Sequence, residues 1–256
     1  MNQQLLLYFS LFSYAVAGIT SIFTDKPGQK ILSWLSICFS SIGIISQVLF
    51  VIIRTLANGF LPFASRFESM VLFALAAQIA GLILYLLAKV NWVKTGTDAF
   101  SLILIGVALF VIGFTQGKNL NPILNSPFFA SHILISFAGY GTIITGLTWS
   151  IVSLFNSQIR NEMLIPRRIA IISLLLLGTG ILIGSLWADN SWGIYWSWDP
   201  KESWALLNWA ILMVYIHISR RTNRYWLASL FFGLSFAVML FTFIGINILR
   251  LGLHRY

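Results

Sequence analysis

The chain is 256 residues long, 58% hydrophobic and only 9% charged, whereas a soluble globular domain is about one quarter charged. That balance excludes a soluble globule and predicts an all-α, polytopic integral membrane protein. The net charge of +9 does not signal nucleic acid, because the 16 basic residues are spread along the interhelical connections instead of forming a stripe.

Spans of about 20 apolar residues are predicted near residues 3–23, 31–53, 67–88, 99–116, 131–155, 168–187, 200–219 and 226–249, which makes about eight transmembrane helices. The first run lacks the basic region of a signal peptide and reads as a retained helix. Cys38 lies within the second run as an apolar filler, and the chain has no disulfide framework or C-x-x-C-H haem attachment site of its own. Segments 24–30 and 117–127 carry the Gly, Pro and Asn that end helices. No repeat of fixed period is evident, so the chain reads as a single membrane domain, 1–256. Its basic residues alternate in density between successive connections. Lys26, Lys30, Lys89, Lys94, Arg160, Arg167, Arg168, Arg220, Arg221 and Arg224 fall on one side, and Arg54, Arg66, Lys118, Lys201, Arg250 and Arg255 on the other. The positive-inside rule puts the first set inside and both termini outside, on the lumenal or periplasmic face.

Between the sixth and seventh spans, Trp187 to Trp209 holds six of the ten tryptophans. Aromatic belts are distributed over many helix ends, and bulk hydrophobicity needs no indole N–H groups that then require partners. The stretch therefore reads as an external binding surface, centred on 187–204, for a large, flat, apolar ligand with a charged edge. On the predicted topology His132 and His254 flank it at the same face. Two neutral imidazoles from opposite sides would hold a haem iron with the porphyrin against Trp192, Trp196 and Trp198. The alternative for each histidine is an interfacial hydrogen-bonding anchor.

Asp199, Pro200 and Glu202 stand at the N-cap, first and third positions of a helix start, the pattern of a capping box. The same helix start offers free N–H groups to the carboxylates of a haem edge, with Lys201 close by, so Asp199 carries both readings. Glu68 reads as a capping residue near Ser65. Gly178, Gly180 and Gly184 read as small surfaces for helix packing. His217 lies 17 residues beyond Pro200, about 25 Å along a helix, too far to join the outer site. If it binds haem, a partner subunit or a weaker ligand of this chain must supply the second axial position.

W-G-I-Y-W-S-W-D-P-K-E-S-W (192–204), followed by I-H-I-S-R (216–220) and G-L-H near the C-terminus, resembles the CcsA family, whose tryptophan-rich segment is the WWD domain. The likeness is strong over 128–254, moderate over N-G-F-L-P-F-A-S-R-F-E-S-M (58–70), and elsewhere limited to hydropathy. It implies the haem-handling subunit of a System II cytochrome c synthase in a thylakoid or bacterial plasma membrane. It also implies that His132 and His254 are axial ligands to haem b, and that His217 binds haem opposite a histidine of a CcsB (ResB-like) subunit. Apocytochrome c with C-x-x-C-H is the implied substrate, and thiol-reducing pathway proteins are further partners. The expected function is haem delivery to the outer side and covalent attachment to apocytochrome c. The alternatives are a haem exporter or chaperone without ligation and a b-type electron-transfer subunit, which would favour paired histidines at matched depth.

Overall fold

In the computed structural model, which describes residues 2–24, 29–63, 65–114, 122–160, 162–222 and 224–249, every regular element among the described residues is helical. Lys26, Lys118, Arg250, Arg255 and His254 lie outside the described residues. Among the described residues seven helices are long and apolar enough to cross a membrane, in keeping with an integral membrane protein. The predicted seventh span has the length, with 22 residues or about 33 Å. It is not among the seven, because residues such as Asn208, His217, Arg220 and Arg221 dilute its apolar run.

The chain folds as two compact units, residues 1–120 and 121–256. The first holds α1 (Gln3–Ile22), α2 (Lys30–Asn58), α3 (Arg66–Ala88) and α4 (Asn91–Gly106), the last continuing as a π-helical turn over Val107–Ile112. Helix α1 packs on α2 and α4, and α3 packs on α4 and α2, around fully buried Leu7, Tyr14, Phe50, Phe67 and Phe73. Cys38 is exposed on α2, as expected of an apolar filler.

Charges that the sequence suggests for connections are packed inside this unit. Lys94 and Asp98 stand one turn apart on α4 and pair at 2.7 Å. Lys94 Nζ also donates to Ser36 Oγ at 2.7 Å, while Asp98 accepts from Ser40 Oγ at 2.9 Å and from the Gln78 amide. A buried charge survives only when paired and hydrogen-bonded. The pair meets that requirement, which is why α4 starts at Asn91, well before the predicted 99. At the Asn58 end of α2, buried Arg54 donates from Nε to Glu68 Oε1 at 2.9 Å and from Nη1 to Gln3 Oε1 at 3.1 Å. Glu68 also closes a capping box with Ser65, the role expected from its position.

The second unit holds a 3₁₀ turn at Pro122–Leu124, α5 (Pro127–Phe155), the single turn α6 (Ser157–Arg160), α7 (Leu164–Trp192), α8 (Pro200–Arg221) and α9 (Trp226–Leu240). A π-helical turn at Phe241–Gly245 leads into α10 (Ile246–Leu249). Helix α5 packs against α7 and α9, and α8 packs against the same two. Trp149, Trp187, Tyr215 and Phe232 are buried in this core. Residues 193–199 are the irregular connection between α7 and α8.

Candidate functional site

Pro127 opens α5 at a position where its missing N–H costs no hydrogen bond, and His132 follows in the second turn. Its Nδ1 lies 2.7 Å from the Gly180 carbonyl oxygen of α7. A carbonyl oxygen only accepts, so Nδ1 carries the proton. In the neutral ring Nε2 then keeps its lone pair, the state required of a metal-ligating imidazole. The residues present thus fit an iron ligand.

An aromatic row continues from this histidine. The Phe129 ring lies 6.4 Å from His132 and 4.6 Å from Trp187, and Trp187 meets Trp192 edge-on at 4.9 Å. The Trp187 indole donates to the Ile123 carbonyl at 3.1 Å. The row joins the first turn of α5 to the last turn of α7, and it brings His132 and Trp192 into one cluster.

Gly193 ends α7 in the left-handed conformation, with φ +76° and its N–H on the Asp189 carbonyl at 2.8 Å. Beyond it Ile194, Tyr195 and Trp198 are exposed, while Trp196 and Trp198 meet nearly perpendicular at 5.7 Å. A hydrogen bond to the Asp189 carboxylate, together with its negative charge, raises the Tyr195 phenol above its ordinary range.

Trp198 has φ +57°, a conformation that costs a residue with a Cβ roughly 1–2 kcal/mol. Glu202 explains how it is held. Its Oε2 accepts the Ser197 N–H at 2.9 Å, the Asp199 N–H at 3.2 Å and the Ser197 hydroxyl at 3.4 Å. The backbone on both sides of Trp198 is thereby tied to one carboxylate oxygen. Charge-assisted bonds of this kind are about twice as strong as neutral ones. Asp199, 4% exposed, accepts the Lys201 N–H at 3.0 Å and completes the capping box, so the predicted cap is observed.

The tryptophans predicted to act together occupy two settings. Trp192 is the last residue of α7 and packs on Trp187, whereas Trp196 and Trp198 ride on the connection. His217 lies about 25 Å along α8 from Pro200. It is exposed, with Nδ1 2.9 Å from the Met213 carbonyl oxygen of its own helix. By the same logic its Nε2 is left for a ligand from outside. Arg167 of α7 donates to the Ser219 hydroxyl at 3.2 Å and to the Ser219 carbonyl, bracing this end of α8.

Sequence reasoning missed the Gly180 contact, the packing of Trp187 and the Glu202 clamp. The capping pattern was the only local sign of the clamp. The Gly180-x-x-x-Gly184 spacing, the only sign of the His132 contact, points equally to ordinary helix packing.

Fold and site define a polytopic α-helical membrane protein that carries a histidine with Nδ1 committed to a helix carbonyl beside an aromatic row, and a strained, tryptophan-bearing connection. The chain belongs to the cytochrome C assembly protein family, whose model matches residues 63–254. Proteins described as cytochrome c biogenesis protein CcsA are among its relatives, as the resemblance of the tryptophan-rich segment anticipated. The one from Chlamydomonas reinhardtii is 28% identical over 82% of this chain and 64% of its own length. That from Prochlorococcus marinus subsp. pastoris is 26% identical over 98% and 90%, and that from Hordeum vulgare 35% over 60% and 50%. Among solved structures, a cytochrome c heme lyase, CcmF, shares the fold with a TM-score of 0.76 at 15% identity, over 94% of this chain and 46% of that one. The chain thus spans less than two thirds of the Chlamydomonas relative and about half of the lyase.

Proposed function

We propose that this chain receives haem b, presents it at the lumenal or periplasmic face, and serves covalent haem attachment to apocytochrome c as a subunit of a System II synthase. The observation that carries this reading is His132, with Nδ1 committed to the Gly180 carbonyl and a neutral-ring lone pair left on Nε2. In a family of cytochrome c assembly proteins, an imidazole so prepared beside Phe129, Trp187 and Trp192 suits one axial side of haem iron. His254 is the ligand proposed for the other side.

The exposed Trp198 and its neighbour Trp196 offer flat apolar faces to the porphyrin. The first-turn N–H groups of α8 are taken up by Asp199 in the capping box and by its carbonyl, so the group proposed there for the propionate edge is the Lys201 ammonium. The exposure of His217, with its own Nδ1 satisfied within α8, supports a second haem position whose other ligand comes from a CcsB (ResB-like) subunit.

The chemistry belongs to the substrates. Each thiol of C-x-x-C-H adds across a haem vinyl group, forming a C–S bond while the thiol hydrogen passes to the neighbouring carbon. The addition consumes no redox equivalent. Thiol-reducing pathway proteins keep those sulfurs reduced beforehand. This chain contributes position and orientation, and the substrate histidine replaces one imidazole as product leaves. Reconstitution of the chain with its partner subunit and a C-x-x-C-H substrate tests the reading. Wild type is expected to yield covalent haem and His132→Ala none. Equal yields from both would remove the ligand assignment, and free haem without attachment would favour an exporter or chaperone.

A further inference from the structure

We propose that Gly184 is a positioning residue for His132: the missing side chain at 184 opens the slot that seats the imidazole and sets its tautomer. The proposal rests on the reading of His132 as an iron ligand. A Cβ at position 184 would come within 2.7 Å of His132 Nδ1, 2.9 Å of Cε1 and 3.4 Å of Cγ. These are atoms of a short, rigid ring, not the far end of a flexible chain.

The direction of helical side chains explains the contact. A Cα–Cβ bond tilts toward the helix N-terminus, so residue 184 covers the turn that contains Gly180. The Gly180 carbonyl accepts the N–H of residue 184 within α7 and has a second lone pair for His132 Nδ1 at 2.7 Å. Any Cβ at 184 intrudes on that second acceptor site.

The neighbouring glycine has a different task. A Cβ at Gly180 would lie 2.6 Å from Ser136 Oγ, so Ser136 faces Gly180 as His132 faces Gly184, one turn apart on antiparallel helices. Gly180 admits a serine and lends its carbonyl; Gly184 admits the ring. Helix packing alone explains the first, whereas the second bears on which nitrogen of His132 faces a ligand. A neighbour that fixes the orientation and tautomer of a ligating histidine typically changes metal affinity about 10–100-fold.

The full-length protein, labelled with ¹⁵N-histidine and free of haem, gives a direct readout. We expect the proton of His132 on Nδ1 in wild type and that preference lost in Gly184→Ala. Haem titration followed in the Soret band should show affinity about 10–100-fold weaker in Gly184→Ala, and unchanged in Gly233→Ala, where an added Cβ meets nothing within 4 Å. A double-mutant cycle guards against a simple packing defect. In a His132→Ala background, Gly184→Ala should have no further effect on haem affinity or thermal stability. A wild-type tautomer and affinity in Gly184→Ala, or an equal loss of stability with and without His132, would overturn the proposal. If His132→Ala itself leaves haem affinity intact, the ligand reading fails while the tautomer measurement still judges the role of Gly184.

Discussion

The buried charges of the first unit and the histidines and Trp198 of the second are held in opposite ways. In residues 1–120 the buried charges close on their neighbours: Lys94 on Asp98 and Ser36, Asp98 also on Ser40, and Arg54 on Glu68 and Gln3. Only the Gln78 amide oxygen in the Lys94 cluster is left without a partner. In residues 121–256 the characteristic polar groups are half committed. His132 and His217 each spend Nδ1 on a carbonyl, and Trp198 stands exposed in a conformation held by Glu202. The difference separates scaffold from site. Closed networks resist opening, whereas a side chain fixed at one end with its other end free is prepared for a ligand.

The comparison predicts a graded set of effects. The largest is on stability, in the first unit. Asp98→Ala strands a buried ammonium and should destabilise the protein by about 3–5 kcal/mol, whereas the paired change Lys94→Met with Asp98→Leu should cost little. Thermal unfolding in detergent distinguishes them, and equal losses would mean that the pair does not act as a closed unit. In the second unit, His132→Ala should reverse the pattern, abolishing haem attachment with little change in thermal stability. A collapse of stability there would make His132 scaffold.

Smaller effects centre on the connection. Glu202→Ala removes a capping box and the tie on both sides of Trp198, a loss of about 1–2 kcal/mol, and should quicken proteolysis between 193 and 199. Unchanged proteolysis would contradict the clamp. Smallest in stability is Trp198→Gly. Relief of the left-handed conformation, roughly 1–2 kcal/mol, and loss of a side chain already 69% exposed should leave the melting temperature equal or higher. Haem affinity should fall.

Short-range features were legible in the sequence because their determinants lie within a few residues. Asp199 with Glu202 forms the predicted capping box, Glu68 caps with Ser65 as its position suggested, and apolar runs marked the helices. Features made by distant residues were not. Lys94 reads as an inner loop cation until Ser36, Ser40 and Gln78 arrive from two other helices to surround its pair with Asp98. The tie between His132 and Gly180 spans 48 residues and depends on the register of α5 against α7. Trp198 gives no local sign of a positive φ, since tryptophan has no preference for it. The division of the tryptophans followed from where α7 ends, at Gly193, which places Trp192 on the helix and Trp196 and Trp198 beyond it.

The most direct test is the absorption spectrum of the purified chain, alone and with its partner subunit, for wild type and His132→Ala. The account predicts haem bands in wild type that are lost or shifted to a changed axial ligation in the variant. Identical spectra, or no haem in either protein under both conditions, would contradict it.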